Sequence, residues 1–354
     1  MSVWRVKPVS AFEADMKKND LKRVLTRWGL TSLGIGAIIG GGIFTLTGIA
    51  AHDYAGPALA LAFVIAGIGC LFASLCYAEF ASVLPVEGSA YAYAYGTVGE
   101  LFAWFIGWNL ILEYMMGATT VAVAWSGYFV KLLHLFGIEF PIWLCNDMAT
   151  ATEKSLAANL AAPSFAFNLP AFLITWVVTA ILVKGIKEAA KTNNIIVIIK
   201  IAVVLFVIIV GAFYVKTENW VPFIPDEIPA LDELGNATGK MNFGFGGVLT
   251  AATIVFFAYI GFDAVSTQAG EAINPKKDVP FAIVASLIIC TVLYILVSLV
   301  LTGMVKYTEL DRAAPVASAF SGIGINWAVF IITIAATAGL TSVMLVMMLG
   351  QTRI

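Results

Sequence analysis

The chain is short of charge. Of its 354 residues, 12% are Asp, Glu, Lys or Arg, while 60% are hydrophobic. A soluble domain carries roughly 25% charged residues, so this supply cannot coat a soluble protein of such size. The apolar excess faces something other than water, and the composition reads as an all-α, polytopic membrane protein whose surroundings are a lipid bilayer. The formal net charge is −2, which gives no basic patch for a nucleic-acid partner. Cysteine is also scarce. Cys70, Cys76, Cys145 and Cys290 form no C-x-x-C pair, which excludes a disulfide framework and a zinc motif. The two histidines, His52 and His134, are not spaced as metal ligands. No nucleophile, base and orienting group recur together, so neither enzyme chemistry, a metal nor a cofactor is expected. Residues 1–27 are polar and basic, and the apolar run after them is too long for a signal peptide.

What the chain does have is long apolar runs. A spanning helix needs about 20 mostly apolar residues. Runs near 28–51, 57–84, 100–130, 170–185, 192–215, 243–270, 280–304 and 325–350 meet or approach that length, which predicts eight spans. With the N-terminus inside, thirteen lysines and arginines fall in inner segments, among them Arg23, Arg27, Lys184, Lys187, Lys276 and Lys277, and six fall outside. That bias makes residues 1–27 a cytoplasmic segment with both ends of the chain inside, and a multi-pass protein of the plasma membrane is expected. The outer loops at 131–169 and 216–242 are acidic, carrying Asp147, Glu153, Glu218, Asp226, Glu227, Asp232 and Glu233. Asn236-Ala-Thr238 is a glycosylation sequon, meaningful only in a eukaryotic secretory pathway.

Two spans carry interruptions. The first reads Gly34-Ile35-Gly36-Ala37-Ile38-Ile39-Gly40-Gly41-Gly42, and the sixth holds Gly261 and Asp263 in mid-span. A glycine inside a helix costs about 1 kcal/mol relative to alanine, so three in a row predict a break. Gly36 and Gly40 also fit small-xxx-small helix packing, which is the competing reading. Interrupted helices at corresponding positions point to a substrate site between two structural repeats. Residues 28–216 then form a first five-helix repeat, and residues 243–354 a partial second repeat of helices six to eight.

Four ionisable residues fall well inside spans: Glu79, Glu113, Lys200 and Asp263. Each is expensive in a bilayer and a functional candidate. Lys200 either snorkels to the inner interface or stays buried, where an amine that gains and loses a proton would serve coupling. Glu113 could receive a cationic substrate, relay protons or tie helices together. Asp263 could contact substrate or cap the half-helix that follows it. Glu79 lies near the inner end of its span and reads as structural. Gly117, one turn beyond Glu113, opens space beside it.

Five segments carry a resemblance: Gly34–Phe44; Cys76–Phe80 with Pro85–Tyr93; Gly107–Tyr114; Phe256–Asp263; and Asn274–Pro280. In order and spacing they resemble the amino acid–polyamine–organocation transporters, most closely the bacterial relatives of the cationic amino acid transporters. The likeness runs from Leu25 onward. It implies an inverted-repeat fold of five plus five helices, with helices one and six broken. It implies a small L-amino acid substrate held around Ile38, Ile39, Gly40, Gly41 and Gly42, its carboxylate on amides of Ile39–Gly42. Its ammonium would meet carbonyls around Phe257, Ala258 and Ile260, with Phe257 as an aromatic lid. Lys200 matches a lysine that replaces a sodium ion, which implies proton symport, with exchange as the alternative. Met347 matches a pocket-lining position.

Three departures stand out. Gly40-Gly41-Gly42 lacks the hydroxyl residue that the family often carries there. Gln268-Ala269-Gly270-Glu271 holds one acid where relatives often have two. The sequence stops at Gln351-Thr352-Arg353-Ile354, where relatives continue for at least four helices, which implies a fold C-terminally truncated after helix eight.

Overall fold

The structure, a computed structural model, describes residues 4–18, 23–231, 237–312 and 314–354. Asn236 of the sequon, Lys22 and the acidic pair Asp232 and Glu233 lie outside the described residues. The described chain is mostly helical: α1 Val9–Lys18, α2 Arg27–Ile38, α3 Thr47–Ile49, α4 Leu59–Val83, α5 Ser89–Thr97, α6 Glu100–Leu135 and α7 Met148–Ala157. Then come α8 Leu169–Lys184, α9 Ile186–Ala212, α10 Gly244–Phe256, α11 Ala264–Thr267, α12 Pro275–Met304, α13 Pro315–Gly322 and α14 Asn326–Gln351. A small antiparallel hairpin, β1 Ile228–Leu231 and β2 Ala237–Asn242, lies between α9 and α10.

Among the described residues, six stretches are long and apolar enough to cross a membrane, against the eight spans expected. The difference has two sources. The first stretch, Arg27–Val83, holds two of the expected spans. At 1.5 Å per residue it would reach roughly 85 Å if straight, nearly three times a bilayer core. It turns instead at Gly56, whose φ of +57° suits glycine. The second source is α8, whose 16 residues fall short of a full span. Its start follows from the sequence, with Pro170 in the first turn and Asn168 Oδ1 accepting the Ala171 amide at 3.1 Å. Between spans lie helices too short to read from apolar runs. In α7, for example, Asp147 caps the first turn and accepts both the Thr150 hydroxyl and amide, which holds its carboxyl below the usual range.

The packing order places α2 at the centre. It contacts α9, α12 and α14, while α12 also packs on α4, and α14 on α6 and α8. Lipid tails are as apolar as leucine, so close packing of small residues, not hydrophobicity, selects these faces. On α14 the buried set includes Ala328, Ala335, Ala336 and Ser342. The hydroxyls of Thr333, Thr337 and Thr341 each donate to the carbonyl one turn earlier, at 2.7, 2.8 and 3.0 Å, and so carry no unmet polar group into the bilayer.

Both ends of the bundle are fastened by ion pairs. On one side Arg312 reaches Asp53, with Nε 3.0 Å from Oδ1, and His52 Nδ1 lies 2.7 Å from the same oxygen. On the other, Arg27 Nε lies 3.0 Å from Asp278 Oδ1, and Arg353 Nη2 lies 2.5 Å from Glu271 Oε1. There the backbone amides of Val24 and Leu25 donate to the Glu271 carbonyl at 3.0 and 2.9 Å. Of the four ionisable residues expected inside spans, Lys200 and Asp263 are buried. Glu79 and Glu113 are exposed on helix surfaces, whereas Glu271 and Asp278, which follow the sixth span, are buried. Burial pushes the Glu271 carboxyl up, against the pull of Arg353.

Candidate functional site

Helix α2 stops at Ile38, and Ile39 leaves helical geometry at φ −75°, ψ 100°. Helical turns resume in the π-helical stretch Gly42–Leu46, preceded by Gly41 at φ −57°, ψ −24°. Ending a helix orphans its last carbonyls, and starting another orphans its first amides. At membrane depth those groups need partners within the protein.

The carbonyls receive theirs from α9 and α12. Lys200 Nζ donates to Gly36 O at 2.9 Å, Ile39 O at 2.7 Å and Ser342 Oγ at 3.2 Å. The lysine is 0% exposed, which rules out the snorkelling alternative. Two carbonyls and a hydroxyl meet the three protons of one ammonium. Tyr294, on α12, places its hydroxyl 2.8 Å from Ile38 O and 3.0 Å from Ala258 O. One side chain thus ties the end of α2 to the segment following α10, where Phe257–Tyr259 tightens into a 3-10 turn. Ile260 then turns away at φ −54°, ψ 132°, its amide 3.3 Å from Phe257 O. Tyr294→Phe is expected to leave both carbonyls without that donor and to cost about 1–3 kcal/mol. The measurement is thermal unfolding in detergent, where an unchanged midpoint would show that the hydroxyl is idle.

The three glycines divide by their surroundings. A Cβ on Gly40 would meet Val343 Cγ2 at 2.5 Å, and one on Gly42 would meet Ala258 Cβ at 2.5 Å. A Cβ on Gly41 would meet only the end of Leu340, with Cδ2 at 3.3 Å. Gly40 and Gly42 are therefore needed for close packing, whereas Gly41 has only the movable end of Leu340 before it. Gly36 packs as tightly, a Cβ there meeting Asn193 Oδ1 at 2.5 Å, so packing of the first span's glycines accompanies the interruption.

The remaining candidates fall into two groups. Asp263 is buried and accepts the Tyr114 hydroxyl at 2.5 Å, and α11 after it carries no side-chain cap. The Asp263 carboxylate therefore ties α6 to the sixth span, and the capping alternative is not realised. Met347 is buried between α6 and the interruption of the sixth span. A Cβ on Gly261 would lie 3.1 Å from its Cε, and one on Gly117 3.8 Å from its Sδ. Phe257 is 65% exposed, Ile260 is half-buried, and Glu113 is exposed beside the buried Tyr114. A cavity of about 320 Å³ lies elsewhere, between α6, α8 and α14, lined by Met115, Met344, Met348 and Gln351 among others. None of the residues singled out from the sequence borders it. Tyr294, Tyr114, Asn193 and Ser342 were not legible as site residues, because a polar residue's position along the chain does not announce its partner.

A family profile described as amino acid permease matches residues 25–354. The chain is 47% identical to the branched-chain amino acid permease BcaP of Bacillus subtilis and 44% identical to the methylthioribose transporter of the same organism. Each match covers 100% of this chain and 70% of the relative. Cationic amino acid transporter 9 of Arabidopsis thaliana is 38% identical over 95% of this chain and 55% of its own length. Among solved structures, MhsT in complex with L-phenylalanine shares the fold at a TM-score of 0.64 with 17% identity, covering 92% of this chain and 72% of that one. With a profile match along nearly its whole length and relatives of such identity, the chain is a membrane protein belonging to the amino acid permease family.

Proposed function

We propose that the chain takes up an L-amino acid by proton symport across the plasma membrane, with its N-terminus in the cytoplasm. The amides at Gly40, Gly41 and Gly42, where helical turns restart, suit a carboxylate, since a helix N-terminus attracts anions. Carbonyls of Phe257, Ala258 and Ile260 suit the substrate ammonium, as the C-terminal end of a half-helix does. Ala258 O retains one lone pair beside its bond from Tyr294. The Ile39 amide already donates to Ile35 O at 2.9 Å, so Ile38 and Ile39 shape the site and the amides of Gly40–Gly42 bind. Residues 28–216 and 243–354 are read as one repeat and part of its inverted counterpart. The contact between Gly42 and Ala258 supports that reading by joining the two interruptions.

The observation that carries the coupling is the Lys200 ammonium in its three-acceptor nest. Oxygen ligands of this kind suit a small cation. A fixed ammonium in their midst leaves a proton as the exchangeable ion. The test is uptake into proteoliposomes under an imposed proton or sodium gradient. Accumulation driven by the proton gradient is expected, and sodium-driven accumulation at constant pH would overturn the assignment.

Substrate size follows from Met347, whose side chain fills the space between Gly117 and Gly261. Small neutral amino acids are expected to bind; the relative 47% identical is named for branched-chain amino acids, which are also neutral but bulkier than alanine. Arginine is expected to bind weakly, and Met347→Ser to strengthen it roughly tenfold by removing the thioether. Competition binding with alanine and arginine on both proteins decides this. Methylthioribose is added as a third competitor, because the relative 44% identical is named for it. Equal binding of arginine and alanine by the unaltered chain would show that Met347 does not limit the pocket.

A further inference from the structure

Below the Lys200 nest lies a second buried polar side chain. Asn193, two turns earlier on α9, is 0% exposed. Its Nδ2 donates to Ser32 O on α2 at 3.1 Å, and its Oδ1 accepts the Ser342 hydroxyl at 2.6 Å. The direction of each bond is fixed by chemistry. A backbone carbonyl only accepts, so the amide nitrogen must face Ser32 and the amide oxygen must face Ser342. Ser342 has one proton, and Asn193 is its nearest acceptor, with Gly36 O farther at 3.2 Å. Only lone pairs of the Ser342 oxygen then remain for Lys200, 3.2 Å away.

We infer that Asn193 is a positioning residue that turns Ser342 into a fixed acceptor, completing an all-acceptor nest selective for a charged ammonium. The inference rests on the reading of Lys200 as the coupling residue. A neutral amine has two protons and a lone pair, so in this nest its lone pair would face an acceptor oxygen. Without Asn193 the Ser342 proton is free to turn toward that lone pair, and the nest no longer discriminates. Gly36 is part of the arrangement, since a Cβ there would strike Asn193 Oδ1 at 2.5 Å and Ser342 Oγ at 2.8 Å. Among ionisable groups on the packed helices, Cys290 of α12 faces Lys200. Tyr294 of α12 ends on the neighbouring Ile38 carbonyl, α2 carries only Arg27 in its first turn, and α14 has no ionisable residue.

Two measurements test this. The first is independent of transport: Lys200→Ala empties the nest, and ethylammonium is titrated against it by thermal shift in detergent. Saturable stabilisation is expected, weakened about tenfold when Asn193→Leu is added, but not weakened further by Asn193→Leu in a Lys200→Ala, Ser342→Ala background. The second is the pH profile of uptake by Asn193→Leu with Lys200 intact, or Asn193→Ala where the leucine variant does not fold. Half-maximal uptake is expected about one pH unit lower, the same tenfold factor. Equal ethylammonium affinity with and without Asn193, no ethylammonium binding at all, or an additive effect with Ser342→Ala would overturn the role of Asn193. If Lys200→Met keeps proton-driven uptake while the ethylammonium result holds, the coupling assignment fails and the nest stands.

Discussion

Lys200→Met is expected to reduce proton-driven accumulation at least tenfold. Methionine matches the length of the lysine stem but supplies no proton, so Gly36 O, Ile39 O and Ser342 Oγ lose one donor each. No other cationic side chain is buried among the described residues of the spans. With nothing at that place to pick up and release a proton, the gradient has no grip on the conformational cycle. The measurement is uptake at equal expression, with monodispersity in detergent confirming the fold. Substrate binding at zero gradient should persist, because the amides at Gly40–Gly42 are not altered. Undiminished proton-driven uptake would place the coupling group elsewhere, and buried Asp263 would be the first alternative.

Gly41→Val is expected to abolish substrate binding, by more than a hundredfold, while leaving the protein folded. Gly41 has helical backbone angles that valine also adopts, and its nearest obstacle is the movable end of Leu340. The isopropyl group would then stand in front of the amides, where a carboxylate has to approach. Gly42→Val is the contrast. A Cβ there would meet Ala258 Cβ at 2.5 Å and its Cα at 2.8 Å, so the two interrupted segments must separate and the fold itself should suffer. Equilibrium binding of labelled alanine, together with thermal unfolding, distinguishes the two outcomes. Wild-type binding by Gly41→Val would move the site away from the glycines.

Much of this was legible in particular residues. The glycine run marked the place where α2 stops, because three residues of poor helix propensity stand where no other composition requires them. Lys200 was legible as a functional candidate because a lysine in an apolar run is costly wherever it points. Glu113 read the same way and yet is exposed, since helical position relative to the neighbours, not depth in the run, decides burial. The starts of α9 and α12 lie six and five residues before the expected spans. Their first turns are polar and lie outside the apolar runs, and capping chemistry such as Pro275 sets their start.

The sequence by itself determined that this chain lives in a membrane, that it is helical, and that its first and sixth apolar segments are exceptional. Those properties follow from local quantities: apolar run length, charge scarcity and the propensity of glycine. Only the tertiary structure decided which of the three glycines meets nothing but a movable side chain, that Lys200 holds the carbonyls of α2, and that Asp263 is taken by Tyr114. Each of these depends on residues that are distant in sequence. A hydrogen bond between Lys200 and Gly36 O spans 164 positions, and no periodicity along the chain encodes it. Packing of α2 among α9, α12 and α14 creates the pairings, and the need to satisfy every polar group away from water then leaves few ways to arrange them.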